Sequence, residues 1–263
     1  MAELRGVIWD VDGVLAETER DGHRVAFNLA FEDKGLPWRW DEGYYGALLR
    51  VSGGRERLLW DMARRADAPR GPGEREALAR ALHARKNTIY AEIVGEGGVP
   101  LREGVAALMD ECLNRGVRMA VATTTSRSNL DALLSYHLGA TWQGAFAAIV
   151  CGEDVQCKKP DPEVYEKALR RLGESPLHCV AIEDSPGGVA AAHAAELPVL
   201  VTHSTYFKGS TLEDAIAIGP GLHMRRGWRP VMGERAGQAP DARVSLDDVV
   251  SWHARAESIS QYA

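Results

Sequence analysis

Five short apolar runs, separated by segments with helical periodicity, constrain the fold of this chain more than any other feature. The runs lie at residues 7–9, 117–122, 147–151, 179–182 and 198–201, and the second of them includes one charged residue, Arg118. A short, uninterrupted apolar run is typical of a strand that is buried on both faces of a sheet. Strands that alternate with helices predict an α/β fold with a doubly wound, parallel, Rossmann-like core.

A long segment between the first two runs is too long for a simple crossover. It contains four helical patterns, at 24–34, 41–49, 55–66 and 74–94, with Gly- and Pro-containing breaks between them. We interpret it as a helical cap domain at 18–100, inserted into a core domain formed by 1–17 and 101–263. Residues 219–240 show no clear period and are predicted to be a loop, followed by a short helix near Leu246–Ala256.

Charge and composition exclude several classes of protein. The formal net charge of -6 argues against general nucleic-acid binding, which favours a basic surface. Neither a signal peptide nor a membrane-spanning run is recognisable. The four cysteines form no CxxC pair and lie in or beside apolar runs, as expected of buried, reduced thiols. We therefore expect a cytoplasmic protein without membrane or nucleic-acid partners, as a monomer or weak homodimer.

Polar side chains follow four of the predicted strands at their carboxyl ends. Asp10 and Asp12 follow the first strand, and residues 123–126 follow the second. Lys158 and Lys159 come after the third strand, and Glu183-Asp184 ends the fourth. Ligands of open parallel sheets bind at the carboxyl ends of the strands, so these groups are expected to converge on one crevice.

This combination of side chains suits phosphoryl transfer. Crowded carboxylates repel one another and need a cation, and oxygen ligands beside a phosphate suit Mg²⁺. Hydroxyls and N–H groups at a helix start can hold phosphoryl oxygens. Of the two aspartates after the first strand, one can attack phosphorus, and the other can act as general acid and base.

The order DVDGV, ATTTS, KKP, IEDS resembles the four motifs of the haloacid-dehalogenase superfamily, and the position of the cap resembles its helical-cap subclass. Each motif alone also fits an ordinary turn or helix cap. The resemblance implies Asp10 as nucleophile, Asp12 as general acid/base, and Thr123 and Lys159 as phosphoryl-binding groups. It implies Mg²⁺ held by Asp10, Asp184 and the Asp12 backbone carbonyl, with Glu183 as a further candidate. The dehalogenase branch is set aside, because it needs neither Asp12 nor a metal.

Four further segments, ETERDGHRVAFN, SGGRER, LHARK and VATTTSRSN, resemble the CbbY-type branch of xylulose-1,5-bisphosphate phosphatases, which remove an inhibitor of rubisco. The resemblance implies a sugar phosphate substrate. It also implies that Glu19 contacts a sugar hydroxyl and that His23 positions the acid/base. Glu17 and Glu19 could exchange these roles, and an ordinary polar position on a cap helix is the alternative for His23.

A bisphosphate needs a second anion site away from the metal. Gly53 and Gly54 look like a loop that opens a helix, where N–H groups and the helix dipole favour anions. Arg55 and Arg57 add charge there. His83 and Lys86 lie along one edge of the 74–94 helix, as a phosphate clamp or as a solvated flank, and Arg85 is expected either against a carboxylate or at the ligand. The predicted substrate-binding residues are Glu19, His23, Gly53, Gly54, Arg55, Arg57, His83, Lys86, Thr124, Thr125, Ser126 and Asn129.

Three other functions remain open at this point. A phosphosugar mutase would use the same residues and return the phosphoryl group to sugar. A general phosphatase would not distinguish mono- from bisphosphates. A non-catalytic phosphate sensor is disfavoured, because it would not need the complete catalytic set.

Overall fold

The sheet of this computed structural model confirms the predicted fold class. The structure describes residues 3–210, 212, 214–230 and 242–260. Within these residues, six parallel strands form one sheet: β1 (Gly6–Trp9), β2 (Arg118–Ala122), β3 (Ala148–Val150), β4 (Cys179–Glu183), β5 (Val199–Thr202) and β6 (Ala217–Gly219). Their spatial order is β3-β2-β1-β4-β5-β6. The chain order reverses beside β1, and the carboxyl end of β1 is therefore the switch point where a crevice opens.

The cap consists of helices, as predicted. They are α1 (Arg24–Asp33), α2 (Glu42–Leu48), α3 (Gly54–Met62) and α4 (Pro72–Gly95). A π-helical turn, Glu19–His23, precedes α1 and was not predicted. The two passages of the chain between core and cap meet where Ala16 pairs with Leu101. The limits of 18–100 for the cap domain stay a prediction.

Aromatic side chains hold the cap helices together. The ring of Phe27 on α1 lies 4.8 Å from that of Trp40, and Trp40 lies 5.8 Å from Tyr45 on α2, measured between ring centroids. Trp40 is fully buried and donates its indole N–H to Asp61 on α3 at 2.9 Å. Buried aromatic rings contribute large apolar areas, so this cluster fixes α1, α2 and α3 relative to one another.

Helices cover both faces of the sheet. They are α5 (Val105–Asn114), α6 (Arg127–Leu138), α7 (Glu163–Leu172), α8 (Pro186–Ala194) and α9 (Leu246–Ser260). Side chains alternate along β1, so Val7 and Trp9 join the layer that contains α5, whereas Ile8 joins the layer that contains α7 and α8. The side chains of β1 are fully buried on both faces, as the apolar run predicted.

The C-terminal region contains structure that the sequence did not indicate. The strand β6 was missed, and the predicted 219–240 loop begins inside it; residues 231–240 of that loop lie outside the described part. Trp228 stacks on Trp252 of α9, with centroids 4.5 Å apart. Cys157 is exposed, so the expectation that all four thiols are buried was wrong for it. None of the described helices is both long enough and apolar enough to cross a membrane.

Candidate active site

Asp10 follows β1 at the centre of the sheet edge. Its backbone N–H donates to Ile182 on β4 at 3.0 Å, which continues the ladder by one residue. Its carboxylate lies 2.7 Å from the Lys159 Nζ, and only 7% of the residue is exposed. Lys159 also donates to the backbone carbonyl of Ala122 at 3.0 Å and to Glu183 at 2.6 Å. One ammonium group therefore connects the ends of β1, β2 and β4.

Glu183 ends β4 with both carboxylate oxygens already in hydrogen bonds. Its Oε1 accepts from Lys159 and from the Tyr165 hydroxyl, the latter at 2.5 Å. Its Oε2 accepts from the Asp184 backbone N–H at 3.1 Å and from the Ser185 hydroxyl at 3.3 Å. The residue is fully buried. These contacts favour a role for Glu183 in orienting Lys159 over direct metal ligation.

The carboxylates at this edge fit a hard cation. Oxygens of Asp10, Glu183 and Asp184 all lie within 4.8 Å of one another. Burial, which Lys159 only partly opposes, and the nearby carboxylates of Glu183 and Asp12 raise the pKa of Asp10 to about 8. Burial and the nearby carboxylates of Glu183 and Asp10 raise the pKa of Asp184 well above its ordinary value. Lys159 alone therefore does not balance the negative charge of these carboxylates. Oxygen ligands of this kind suit Mg²⁺.

Asp12 turns towards the cap. Its Oδ1 accepts from the Thr18 hydroxyl at 2.5 Å and lies 3.1 Å from the His23 Nε2. His23 lies in the π-helical turn and packs against Tyr90 of α4, with ring centroids 4.3 Å apart. Burial alone would raise the pKa of Asp12, but His23 and Thr18 outweigh it and lower the pKa to about 2. Asp12 is therefore ionised in the free protein and is held by cap residues.

Gly13 allows the turn after Asp12 to approach Asp184. Its φ of +82° lies in the region that favours glycine, and a Cβ there would come 2.0 Å from the Asp184 Oδ2. No side chain fits between this turn and the carboxylate. The clash with Asp184 therefore explains why the DVDGV motif has glycine at this position.

The second motif follows β2 and forms the start of α6. Thr123 is almost fully buried, and its hydroxyl accepts from the Thr125 backbone N–H at 3.2 Å. Ser126 caps α6 by accepting from the Asn129 backbone N–H at 3.3 Å. Thr124 lines both cavities described below, whereas the role of Thr123 as the phosphoryl-binding hydroxyl stays a prediction.

Two adjoining cavities occupy the crevice between core and cap. The core-side cavity, of about 410 Å³, is lined by Asp10, Lys159 and Asp184 among others. The cap-side cavity, of about 330 Å³, is lined by residues of α1, α3 and α4 and by the α6 start. The two cavities share four lining residues: Asp12, Glu19, Arg57 and Thr124. The cap-side lining contains all twelve predicted substrate-binding residues: Glu19, His23, Gly53, Gly54, Arg55, Arg57, His83, Lys86, Thr124, Thr125, Ser126 and Asn129.

Lys86 is a buried cation in the cap-side cavity. Its Nζ lies 5.3 Å from the ring centroids of both Phe27 and Tyr90. Burial lowers the pKa of Lys86 to about 8. Burial together with the charges of Lys86 and Lys158 lowers the pKa of His83 to about 4. At neutral pH, Lys86 therefore carries positive charge, whereas His83 is a neutral hydrogen-bonding group.

Carboxylates already pair with the other cations of this cavity. Arg57 lies 3.4 Å from Glu19, and Arg55 lies 2.8 Å from Glu76. Lys158 lies 2.8 Å from Glu56. Arg85, in contrast, pairs with Asp33 on the cap surface at 2.5 Å, so its contact is with a carboxylate.

The structure adds residues that the sequence analysis did not select. Thr18 donates to Asp12, and Tyr165 donates to Glu183. Tyr45 donates to Glu19 at 2.5 Å, and Glu56 and Lys158 line the cap-side cavity. Lys158 precedes Lys159 in the KKP motif, so the sequence could have indicated that Lys158 lies at the site. Glu17 binds the Thr205 backbone N–H at 3.2 Å and lies 3.8 Å from Arg102, whereas Glu19 lines both cavities.

Comparisons with known proteins agree with this geometry. Residues 4–196 match the family of haloacid dehalogenase-like hydrolases. The plasmid-encoded protein CbbY of Cupriavidus necator is 47% identical over 221 residues, which are 83% of this chain and 86% of that protein. The crystal structure of CbbY from Rhodobacter sphaeroides with phosphate is 37% identical, with a TM-score of 0.75 over 81% of this chain and 92% of that one.

A further crystal structure holds a mutant of the Rhodobacter sphaeroides protein in complex with xylulose-(1,5)bisphosphate. It is 36% identical to this chain, with a TM-score of 0.74 over 81% of this chain and 92% of that one. The family match covers both the inserted cap and the four strand ends that carry the acidic cluster, Lys159 and the threonines. The chain belongs to the haloacid dehalogenase-like hydrolases, and it is a phosphoric monoester hydrolase.

Proposed function

We propose that this protein is a Mg²⁺-dependent phosphatase that hydrolyses a sugar bisphosphate, xylulose-1,5-bisphosphate, to xylulose 5-phosphate. The observation that carries the proposal is the pair of cavities joined at Asp12, Glu19 and Arg57. One cavity is lined by Asp10, Asp184 and Lys159, and the other is lined by Lys86 and Lys158. Two phosphates at the ends of one short sugar fit this division. The Rhodobacter sphaeroides structure with xylulose-(1,5)bisphosphate supports the choice of sugar.

Asp10 is the proposed nucleophile of the first step. Its carboxylate attacks phosphorus in line, and the bond to the sugar oxygen breaks, which leaves an aspartyl-phosphate. Lys159, 2.7 Å from that carboxylate, stabilises the negative charge that spreads over the phosphoryl oxygens. Glu183 and Tyr165 keep the ammonium group in this position.

Asp12 is the proposed general acid and base. It must carry a proton to release the sugar oxygen, although His23 and Thr18 keep it ionised in the free protein. The negative charge of a bound substrate raises the pKa of a neighbouring carboxyl, so substrate binding favours the protonated form. After the sugar leaves, ionised Asp12 takes a proton from water, which attacks the aspartyl-phosphate and frees phosphate.

Asp10, Asp184 and the Asp12 backbone carbonyl are the proposed holders of Mg²⁺, with Glu183 positioned behind them. When bound, Mg²⁺ neutralises this buried negative charge and polarises a phosphoryl oxygen. Cap closure over the crevice excludes bulk water during both steps.

Phosphate release from a panel of sugar phosphates, with Mg²⁺ and with EDTA, tests the proposal. We expect metal-dependent release that strongly favours xylulose-1,5-bisphosphate over ribulose-1,5-bisphosphate, glucose 1-phosphate and phosphoglycolate. Metal-dependent release that favours another compound would keep the chemistry and contradict the substrate. Release that EDTA leaves unchanged would contradict the metal site.

A phosphosugar mutase is the second candidate, since it would use the same core residues. Isomer formation without phosphate release, detected by carbon NMR of the sugar, would establish the mutase and contradict hydrolysis. Equal rates with mono- and bisphosphates would establish a general phosphatase instead.

A further inference from the structure

An ion pair joins the cap to the core inside the cap-side cavity. Glu56 lies in the first turn of α3, and Lys158 lies on the core segment before α7. Their charged atoms are 2.8 Å apart, and both residues line the cavity. The pair lies over Gly53, where a Cβ would come 2.2 Å from the Glu56 Oε2 and 2.5 Å from the Lys158 Nζ.

A carboxylate in this place opposes an incoming phosphate. A phosphate monoester carries about −1.5 to −2 charges at neutral pH, and like charges at short range repel. The cavity must therefore either exclude the second phosphate or move Glu56 aside. The neighbouring cations already pair with carboxylates. They attract a phosphate only weakly unless one of these carboxylates moves away.

The pair of Glu56 and Lys158 separates more easily than the pair of Arg57 and Glu19. The Lys158 and Glu56 side chains are 24% and 34% exposed. The Arg57 and Glu19 side chains are only 7% and 16% exposed, and Tyr45 braces both. When a buried ion pair separates, its charges are left without water. A partly exposed pair is weak, and water solvates its charges when they separate.

We infer that Glu56 is a specificity-determining residue that stands in for the second phosphate. It binds Lys158 while the cap-side cavity is empty, and the second phosphate of a bisphosphate displaces it. This inference rests on the proposed function. A monophosphate has no group that reaches Lys158, so it leaves the pair intact and pays no displacement cost.

Calorimetric titration of the Asp10→Asn variant, which is expected not to turn over substrate, tests the inference. Xylulose-1,5-bisphosphate and xylulose 1-phosphate are titrated with Mg²⁺ into this parent and into the same protein carrying Glu56→Gln. The isosteric amide removes the competing charge, so the Kd for the bisphosphate should fall about threefold to fivefold. The Kd for the monophosphate should change less than about twofold.

Two controls isolate the effect. Glu166→Gln removes the same charge from an exposed pair with Arg170 on α7, away from both cavities, and should change neither Kd. In a Lys158→Met background, Glu56→Gln should tighten bisphosphate binding less than in the parent, because it then releases only Arg55, which lies 3.7 Å from Glu56.

Unchanged or weaker bisphosphate binding by Glu56→Gln would overturn the inference, as would a gain that is undiminished in the Lys158→Met background. Both results leave the proposed function standing if the parent prefers the bisphosphate. A parent that binds both ligands equally would instead contradict the proposed function, whatever Glu56→Gln does.

Discussion

The core half and the cap half of the site are built from different kinds of contact. At the core edge, Lys159 and Glu183 are buried and tie three strand ends together through hydrogen bonds of 2.6–3.0 Å. In the cap-side cavity, Lys158 and Arg55 form partly exposed pairs with carboxylates on helices. We assign the proposed reaction to the buried core half and the proposed exchange of ion-pair partners to the partly exposed cap half. Chemistry and substrate choice should therefore be separable by mutation.

The largest expected effect separates chemistry from folding. Asp10→Asn should lower kcat by at least about 10³-fold, because the amide cannot attack phosphorus. The melting temperature should change little. Steady-state kinetics and thermal unfolding measure the two quantities, with Asp33→Asn, in the exposed pair with Arg85, as the control. Full activity of Asp10→Asn would remove the nucleophile assignment.

The next effect distinguishes Asp184 from Glu183 as metal ligands. Asp184→Asn should raise the Mg²⁺ concentration for half-maximal activity at least about tenfold, since it removes a proposed ligand. Glu183→Gln should instead lower kcat, because its amide cannot accept from Lys159, Tyr165 and the backbone together. The Mg²⁺ requirement of Glu183→Gln should stay within about threefold of wild type. An equal shift for both variants would make Glu183 a direct ligand.

Removal of the positive charge of Lys86, in the cap, is expected to have a smaller effect on activity. Lys86→Met keeps the chain length and the contacts with Phe27 and Tyr90, but it removes a charge. The KM for xylulose-1,5-bisphosphate should rise about tenfold to 100-fold, which is the loss of a charge-assisted hydrogen bond. The KM for xylulose 1-phosphate should stay nearly constant. Lys167→Met, which removes a lysine paired with Glu163 on α7, is the control. Equal rises for both substrates would place Lys86 outside the second phosphate site.

The smallest expected effect is a pH dependence of the cap half. Burial lowers the pKa of Lys86 to about 8, so the free protein loses this positive charge as the pH rises above that value. The ratio of kcat/KM for the bisphosphate to that for the monophosphate should therefore fall by a few-fold above pH 8. This fall should be smaller than the loss caused by Lys86→Met, because the neutral amine can still donate a hydrogen bond. The decline should be absent in Lys86→Met. A ratio that stays constant between pH 7 and pH 9.5 would contradict the role of this charge.

The core half was largely predictable from the sequence. Strands that are buried on both faces give apolar runs, and the candidate site residues lie at the ends of those runs. Asp10 follows β1, and Glu183 ends β4. Parallel topology then brings the strand ends to one edge. The strand β6 was missed because its three residues, Ala217–Gly219, are too few to form a recognisable run.

The cap half was less predictable, because its pairings arise only when helices pack. The spacing of His83 and Lys86 indicated a shared edge of α4, but not that burial would leave His83 neutral and Lys86 charged. The contact of Glu56 with Lys158 spans 102 positions of the chain, and no local pattern indicates it. The π-helical turn that presents His23 to Asp12 likewise has no simple periodicity.

The ratio of kcat/KM for xylulose-1,5-bisphosphate to that for xylulose 1-phosphate, measured with Mg²⁺ at pH 7, tests the central claim most directly. The two substrates differ only in the second phosphate, so the ratio reports what the cap-side cavity contributes. A second charged contact should give a ratio of about 10 to 100, and Lys86→Met should lower the ratio to what Lys158 contributes alone. A wild-type ratio near one would contradict the account, because the cap-side cavity would then not bind a phosphate at all.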